Sequence, residues 1–351
     1  MGTVMATPDP SATPGNAETV DLEELKRSGK VFKENAGASI LDIGDGVGLV
    51  EFHTKANSLN DDVCEMLMLA TNSGASRRFD AVVIGNRGRH FSAGANLQFL
   101  LEAARASRWK DIERTIRTLQ DATMSLKYGS IPVVSAPFSN ALGGGCEVCL
   151  HSARVVAADS VRMGLVEAGV GLIPAGGGTK ELGLRAQAHS AAAPGTDALP
   201  ALRRAFELIA TAKTSHTGAE AKQLFLAATD IVVPTQEGAI AAAKQVAIAL
   251  VKSGYRNGAA RADVPVIGTK GLQVFRSTID QMRDGKTISD HDAVIALHVA
   301  TILCGGDQSA GTANEQHFLD LEREAFLSLV GTEKTQARIE HLLVNNRPLR
   351  N

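Results

Sequence analysis

Short apolar runs mark candidate strands along the first half of the chain. Two runs in ASILDIGDGVGLVEF, residues 38–52, flank Gly44-Asp45-Gly46, a combination typical of a β-hairpin. Continuous apolar stretches at residues 81–84 and in IPVVSAPF, residues 131–138, predict buried strands. Two further short strands are predicted in ARVVAAD and VRMGLVE.

Helical periodicity fills the intervals between these strands. Helices are predicted near Asp61–Ala75, from Leu97 to about Leu126, and from about Cys146. From about Leu202 onward the chain is nearly all helix, interrupted by DIVVPTQ, and EQHFLDLEREAFLSLV has the spacing of an amphipathic helix. Strands that alternate with helices predict the α/β class, here followed by a helical extension.

The same pattern divides the chain into three parts. Residues 1–36 are predicted to be a disordered tail and a short lead-in helix, with order beginning near Asn35. Residues 37–250 are predicted to form the α/β core, and residues 251–351 a C-terminal helical region. Within the core, residues 186–200 are small, contain proline and lack periodicity, which predicts a surface loop or insertion.

Composition is that of an ordinary globular protein. Of the 351 residues, 44% are hydrophobic and 21% charged, and the formal net charge is −2. Charges of one sign form no long run, so a general nucleic-acid footprint is absent. Apolar stretches stop short of the roughly 18 residues that a membrane span needs, and the N-terminus lacks a secretory signal pattern. A cytoplasmic protein is therefore expected.

The four cysteines are too few for a disulfide framework in a chain of this length. Cys146 and Cys149 form a C-x-x-C pattern, but a zinc site needs a second pair or a cluster of histidines. Buried thiols in an apolar helix are the preferred interpretation. No metal site is predicted.

Three other motifs favour structural interpretations. The G-x-G-x-G pattern of the hairpin lacks the following helix of a dinucleotide fingerprint. Ser92 beside His90 is outside a G-x-S-x-G context, which disfavours a serine nucleophile. His291 in SDHDAVIAL fits a helix N-terminus capped by Ser289 better than a metal cluster.

Two glycine-containing loops are candidate binding elements. Ser92-Ala93-Gly94-Ala95 follows a predicted strand, and Gly143-Gly144-Gly145 precedes a predicted helix. Glycine permits close approach of a ligand, and a helix N-terminus presents unpaired N–H groups. Together the loops can hold a developing oxyanion. Nearby, Glu147 and Glu167 lie in apolar surroundings, where a carboxylate is either ion-paired or functional, and spacing alone leaves both interpretations open.

Four ordered segments within residues 38–235 combine these features: HTKANSLND, HFSAGANL, NALGGGCEVCL and GLVEAGVGLIPAGGGTKEL. They resemble the signature segments of the crotonase superfamily, in its enoyl-CoA hydratase branch. KENAGASILDIGDGVG, ISDHDAVIA and DLEREAFLSL extend the resemblance to the hydratase half of bacterial fused 3-hydroxyacyl-CoA dehydrogenase/enoyl-CoA hydratase proteins. The resemblance implies a crotonase-like spiral of ββα units with a C-terminal helical extension. A dehydrogenase half is not expected in this chain.

Carried onto this sequence, the resemblance places an oxyanion hole at the backbone N–H groups of Ala95 and Gly144. The paired hydratase carboxylates fall on Glu147 and Glu167. In the family, the equivalent of Glu167 is usually given the C2 proton transfer, and the equivalent of Glu147 helps to orient water. Two carboxylates suit hydration because one proton must leave water while another reaches carbon.

The resemblance also places the CoA thioester along Lys55, Ala56, Asn57, Ala93 and Asn96, mostly through backbone contacts, with Lys55 as a partner for phosphate. Asn96 departs from the pattern, because many family members carry Asp after the oxyanion alanine. No redox cofactor or metal is implied, since coenzyme A is part of the substrate.

The activity implied is that of an enoyl-CoA hydratase, a lyase of fatty-acid β-oxidation that converts 2-enoyl-CoA to 3-hydroxyacyl-CoA. Two alternatives stay open. A Δ3,Δ2-enoyl-CoA isomerase needs one base rather than two, and a CoA-ester-binding subunit would act only with a separate 3-hydroxyacyl-CoA dehydrogenase. An acyl-CoA substrate, that dehydrogenase and a second copy of the chain in a homo-oligomer are the expected partners, whereas nucleic acid and membrane are not.

Overall fold

The computed structural model describes residues 19–72, 78–191 and 197–351. The predicted disordered tail therefore lies almost wholly outside the described residues. The same holds for the centre of the predicted insertion at residues 186–200.

The strands are short and mostly buried. They are β1 (Val31–Glu34), β2 (Ala38–Asp42), β3 (Val47–Phe52), β4 (Ala81–Ile84), β5 (Val133–Ser135), β6 (Asn140–Leu142), β7 (Arg154–Ala158), β8 (Arg162–Gly164), β9 (Ile231–Val233), β10 (Val264–Val266) and β11 (Gly311–Ala313). The central sheet has the order β1-β2-β3-β4-β5-β7-β9, antiparallel up to β3 and parallel beyond it. Outside it, β6 pairs with β8 in parallel, and β10 pairs with β11 antiparallel.

Helices cover the sheet and make up most of the C-terminal third. They are α1 (Leu22–Arg27), α2 (Asp61–Thr71), α3 (Leu97–Arg105), α4 (Trp109–Tyr128), α5 (Gly144–Leu150), α6 (Gly178–Ala191), α7 (Leu199–Ala210), α8 (Gly218–Leu224), α9 (Gln236–Lys252), α10 (Gly268–Asp284), α11 (Asp290–Leu303), α12 (Glu315–Val330) and α13 (Glu333–Asn345). Short 3₁₀ turns occur at Lys55–Asn57 and Glu167–Val170. The predicted α/β architecture with a largely helical C-terminal region is confirmed.

The predicted hairpin is present as β2 and β3. Their register runs from Ala38 opposite Phe52 to Asp42 opposite Gly48. All three residues of the connecting Gly44-Asp45-Gly46 have positive φ angles, of 83°, 57° and 74°. Glycine adopts such angles without steric cost, which explains the turn composition.

The central strands are apolar on both faces, as β4 illustrates. Ala81 and Val83 belong to the core cluster that contains the α9 side chains, whereas Val82 and Ile84 belong to the larger cluster on the other face. Parallel strands that are covered on both faces appear in the sequence as continuous apolar runs. The pattern at residues 81–84 therefore predicted both the strand and its position inside the sheet.

The lead-in segment differs from its prediction. The helix α1 is only six residues long, and β1 follows it within the range 1–36 that was predicted to hold no strand. Gly29, with a φ of 73°, ends the helical stretch, and β1 pairs with the edge of β2. Pairing with a neighbouring strand decides this conformation, which four residues do not encode locally.

The predicted loop at residues 186–200 is also wrong at both ends. Helix α6 continues to Ala191, and α7 begins at Leu199. Alanine is the strongest helix former, and no proline lies between the start of α6 at Gly178 and Pro194. The small residues therefore extend the helix.

The helical predictions hold with two further differences. The stretch from Leu97 to Leu126 is two helices, broken near Ser107, whose φ is 52°. The region after residue 251 contains β10 and β11 in addition to helices. Its apolar side chains, such as Phe326, belong to the same core cluster as Leu165, so the core is continuous across residue 250.

Candidate active site

A cavity of about 930 Å³ brings the predicted site residues together. Ala95, Gly144, Glu147 and Glu167 all line it, although they come from separate elements. Its apolar wall includes side chains from α3, α4, the 3₁₀ turn that begins at Glu167, and the two last helices: Phe99, Leu100, Leu119, Val170, Phe326 and Leu342.

The two glycine loops touch each other at one side of this cavity. A Cβ atom on Gly94 would lie 3.0 Å from the Leu142 carbonyl oxygen and 3.3 Å from the Gly144 nitrogen. Gly94 also has a φ of 90°, and its N–H donates to Ser92 Oγ at 3.2 Å. Glycine at this position is therefore required by both conformation and space.

Two backbone N–H groups of these loops are available to a ligand. Gly144 is the first residue of α5, so its N–H has no acceptor within the helix. The N–H of Ala95 donates no hydrogen bond to any residue that the structure describes. Both residues line the cavity.

Glu147 lies in the first turn of α5 and is 1% exposed. Its Oε1 accepts hydrogen bonds from the N–H groups of Gly176 and Gly178, both at 2.8 Å. A Cβ on Gly176 would lie 2.6 Å from Glu147 Oε2. The glycine-rich turn at residues 176–178 thus packs closely around the Glu147 carboxylate.

Glu167 begins the 3₁₀ turn that follows β8. Its Oε2 is buried and has no hydrogen-bond partner among the residues described. A Cβ on Gly143, whose φ is 53°, would lie 2.6 Å from Glu167 Oε1. The Glu167 carboxyl therefore lies against the loop that opens α5.

Burial sets the protonation of this pair. Burial raises the pKa of Glu147, and the Gly178 and Gly176 N–H groups partly oppose the rise. Burial also raises the pKa of Glu167, and the neighbouring Glu147 charge raises it further. The two carboxyls titrate together, and both hold protons at higher pH than an exposed glutamate does.

A further buried carboxylate, which the sequence analysis missed, binds the same glycine-rich turn as Glu147. Glu322 of α12 is 0% exposed and accepts the N–H groups of Gly177 at 2.8 Å and Lys180 at 2.7 Å. Burial raises the pKa of Glu322, as does the Glu147 charge. The signal was present: Glu322 follows Phe318 by four residues and precedes Phe326 by four, so it lies on the apolar face of an amphipathic helix.

The residues predicted to contact CoA lie beside the cavity more than in it. Ala93 and Asn96 line it, whereas residues 55–57 are not among the described lining residues. Lys55 and Ala56 are exposed, and the Ala93 N–H donates to the Ala56 carbonyl at 3.1 Å. Asn57 is buried, and its Nδ2 donates to the His90 carbonyl at 2.8 Å.

Asn96 has a structural role in its surroundings. It is the N-cap of α3, and its Oδ1 accepts the Phe99 N–H at 3.1 Å. An aspartate in this position has the same acceptor geometry, so the departure from the family pattern preserves the cap.

The structural interpretations of the other motifs agree with the structure. Ser92 Oγ accepts the Gly94 N–H, while His90 lies near Ser139 instead. All the cysteines are free and buried. Ser289 caps α11 in a reciprocal capping box. No cluster of metal-ligating side chains occurs in the described ranges.

The fold matches solved structures at low sequence identity. A crystal structure of enoyl-CoA hydratase from Bacillus halodurans superposes with a TM-score of 0.57 at 16% identity, covering 87% of this chain and 99% of that one. The mixed sheet and its covering helices therefore have the crotonase-type α/β fold.

The sequence comparison specifies the family. Residues 42–194 match the family described as enoyl-CoA hydratase/isomerase. Residues 42–194 of this chain therefore carry a domain of this family.

Two curated relatives are longer proteins. A probable 3-hydroxyacyl-CoA dehydrogenase from Bacillus subtilis is 40% identical over 96% of this chain, which spans 42% of that protein. A putative fatty acid oxidation complex trifunctional enzyme from Rickettsia felis is 34% identical over 47% of this chain, and the match spans 23% of that protein. The chain thus spans less than half the length of these relatives.

Within the described part of the chain, no helix is both long and apolar enough to cross a bilayer.

Proposed function

We propose that this chain is an enoyl-CoA hydratase, which adds water across the 2,3-double bond of a 2-enoyl-CoA to form 3-hydroxyacyl-CoA in fatty-acid β-oxidation. The observation that carries the proposal is the pair of buried carboxylates, Glu147 and Glu167, at one cavity beside two loops with available N–H groups. The name of the Rickettsia felis relative, a putative fatty acid oxidation complex trifunctional enzyme, supports this pathway.

The Ala95 and Gly144 N–H groups would donate hydrogen bonds to the thioester carbonyl oxygen. Negative charge moves onto that oxygen when the water oxygen bonds to C3, because the double bond is conjugated with the thioester. N–H groups fixed before the reaction stabilise such charge without reorganisation. Because a Cβ on Gly94 would lie only 3.3 Å from the Gly144 nitrogen, glycine at this position lets the two loops approach closely.

The two carboxyls would divide the proton transfers. One ionised carboxylate takes a proton from water as the C3–O bond forms, and one protonated carboxyl gives its proton to C2, so the pair retains one proton overall. We assign the C2 transfer to Glu167, because its Oε2 is unpartnered among described residues. Glu147 orients the water, since two N–H groups fix its Oε1.

The proposed reaction involves no redox cofactor or metal. Hydration causes no net oxidation or reduction, and coenzyme A enters as part of the substrate. Lys55, which is exposed, is proposed as a contact for a CoA phosphate, and Ala56, Asn57, Ala93 and Asn96 as the neighbouring backbone surface.

The test follows the loss of conjugated thioester absorbance when the purified chain meets a short and a long 2-enoyl-CoA. Glu147→Gln and Glu167→Gln should each lower turnover by about 100-fold or more, while circular dichroism shows an intact fold. The exposed Glu324→Gln is the matched control and should retain turnover. Near-normal turnover in both site variants would contradict the proposal.

The remaining outcomes separate the alternatives. Conversion of a 3-enoyl-CoA in place of hydration, with dependence on Glu167 alone, would assign an isomerase. The names of the longer relatives favour a second candidate, a CoA-ester-binding subunit that works with a 3-hydroxyacyl-CoA dehydrogenase. Activity that appears only after such a dehydrogenase is added would assign that role. Gel filtration of the active species would show whether it is the expected homo-oligomer.

A further inference from the structure

Helix α12 lies beyond the residues that match the family domain, yet it carries two buried carboxylates. Glu315 is 1% exposed and Glu322 is 0% exposed. Ionised groups are rarely buried unless they are paired or hydrogen-bonded, because loss of hydration is costly. Their partners therefore show what this helix holds in place.

Both carboxylates hold Lys180, near the start of α6, but through different atoms. Glu315 Oε2 lies 3.0 Å from Lys180 Nζ and Glu315 also accepts the Tyr128 hydroxyl. Glu322 Oε1 instead accepts the Lys180 backbone N–H at 2.7 Å. Glu315 thus pairs with side chains and accepts the Arg261 backbone N–H at 3.0 Å, whereas Glu322 binds the main chain around the start of α6.

The backbone contacts of Glu322 alternate with those of Glu147 along one turn. Glu147 accepts the N–H groups of Gly176 and Gly178, and Glu322 accepts those of Gly177 and Lys180. The intervening peptide units cannot rotate independently, because the N–H groups of Gly176, Gly177 and Gly178 are each directed to one of the two carboxylates. A change at Gly177 must therefore move the donors that hold Glu147.

The turn also has little free space. A Cβ on Gly177 would lie 2.7 Å from His151 Nε2, and Gly177 has a φ of 94°. The Nδ1 of His151 is hydrogen-bonded to the Glu147 carbonyl at 2.7 Å. The turn is thus enclosed between the Glu147 helix and Glu322.

We propose that Glu322 is a positioning residue for the reaction: by binding the N–H groups of Gly177 and Lys180, it fixes the turn that orients the Glu147 carboxylate. This inference rests on the proposed hydratase function. It also gives α12 a role in the active site, although the match to the family ends at residue 194.

The kinetic test compares Glu322→Gln with Glu315→Gln in the full chain. The amide side chain introduced by Glu322→Gln keeps the shape but presents an N–H₂ group to one of the two backbone donors, so one hydrogen bond is lost. Glu322→Gln should lower kcat by about tenfold or more and change KM for 2-enoyl-CoA by less than about threefold, which is the signature of a lost transition-state interaction. Glu315→Gln should lower Tm comparably, with kcat within about twofold of wild type.

A second measurement does not depend on activity. Amide hydrogen exchange of Gly176 and Gly178, followed by NMR, should become about tenfold faster in Glu322→Gln, although their own acceptor is intact, and should be unchanged in Glu315→Gln. If Glu322→Gln is insoluble, Glu322→Asp serves the same comparison, since it keeps the charge but shortens the reach.

The outcomes distinguish this inference from the function on which it rests. If the wild-type chain hydrates no enoyl-CoA while exchange at Gly176 and Gly178 responds to Glu322, the proposed function fails and the positioning contact survives as a structural one. If wild type is active and Glu322→Gln loses only Tm, with kcat and the exchange rates unchanged, the inference is overturned.

Discussion

At the scale of single residues, the site depends on glycines whose replacement would affect geometry more than stability. Gly94 has a positive φ and lies against the Gly144 nitrogen. Gly254 also has a positive φ, of 71°, but nothing lies within 4 Å of where its Cβ would be. A side chain at either position would be strained by the positive φ angle. Only at Gly94 would it also meet neighbouring backbone atoms.

Replacing each glycine by alanine separates these effects. Gly94→Ala and Gly254→Ala should each lower the free energy of unfolding by about 1 kcal/mol, from the backbone strain at positive φ. Only Gly94→Ala should also reduce kcat, by about tenfold or more, because its Cβ displaces the loop that opens α5. Urea denaturation and the enoyl-CoA assay measure the two quantities, and equal activity of both variants would refute the role given to this contact.

The raised pKa of Glu167 predicts a stability effect whose sign depends on pH. The folded-state pKa lies above the unfolded value, so ionisation of Glu167 destabilises the fold progressively as pH rises from the unfolded value through the folded one. Glu167→Gln removes this cost. It should therefore be more stable than wild type at pH 9, on the order of 1 kcal/mol, and the difference should vanish near pH 4.

Chemical denaturation of both proteins at the two pH values tests this. Lower stability of Glu167→Gln at the higher pH would show that the carboxylate is compensated in the fold, as in a structural ion pair. If Glu167→Gln instead gains stability and loses turnover, the Glu167 carboxylate lowers the stability of the fold but is needed for the reaction.

At the scale of elements, the loop after β4 ends in a helix cap that adjoins the site. Asn96 caps α3, so the residue that departs from the family pattern stabilises the helix that carries Phe99 and Leu100 into the cavity wall. An aspartate would provide the same acceptor and a favourable interaction with the helix dipole.

We therefore expect opposite effects from two substitutions at this position. Asn96→Ala should lower the free energy of unfolding by about 1 kcal/mol, and Asn96→Asp should retain it or raise it by up to about 0.5 kcal/mol. Thermal denaturation distinguishes them. A loss of stability in Asn96→Asp similar to that in Asn96→Ala would mean that nearby acidic groups outweigh the cap.

The elements that sequence predicted well are those with a strong local signal. The β2–β3 hairpin has its glycine turn, and β4 has its run of apolar residues on both faces. By contrast, β1 was missed because its extended form depends on pairing with β2. The end of α6 was missed because small residues suit a loop and a helix equally until the neighbouring helices are placed.

At the scale of the whole molecule, the C-terminal helices bind the segments that carry both carboxylates. Besides the Glu322 contacts, Thr335 Oγ1 donates to the Gly171 carbonyl at 2.7 Å, just after the turn that begins at Glu167. Arg338, 1% exposed, pairs with Asp292 at 2.7 Å and donates to Ser289 Oγ. The last two helices are thus joined to α11 and to the site.

Removing the Arg338 charge should weaken this junction. Arg338→Met leaves Asp292 without its partner and should lower the free energy of unfolding by about 2–3 kcal/mol, below the full cost of a buried pair because Asp292 is partly exposed. The exposed Arg347→Met is the control and should change it by less than about 0.5 kcal/mol. Equal urea midpoints for the two variants would show that the ion pair contributes nothing.

The sequence alone determined the α/β class, the hairpin, the two glycine loops and the two candidate carboxylates. Each of these features depends on the residues of one short segment, because periodicity, turn residues and motif spacing extend over only a few positions. Whether Glu147 and Glu167 share one cavity was not encoded in that way, since apolar surroundings fit an ion pair equally well.

The tertiary structure decided which polar groups meet. Gly177 and Glu322 are 145 residues apart along the chain, and only packing of α12 against the start of α6 joins them. The same packing buries Glu322 beside Glu147, and burial raises the pKa of both carboxyls. A hydrogen bond or a loss of hydration depends on position in space, and that position exists only once the helices have packed on the sheet.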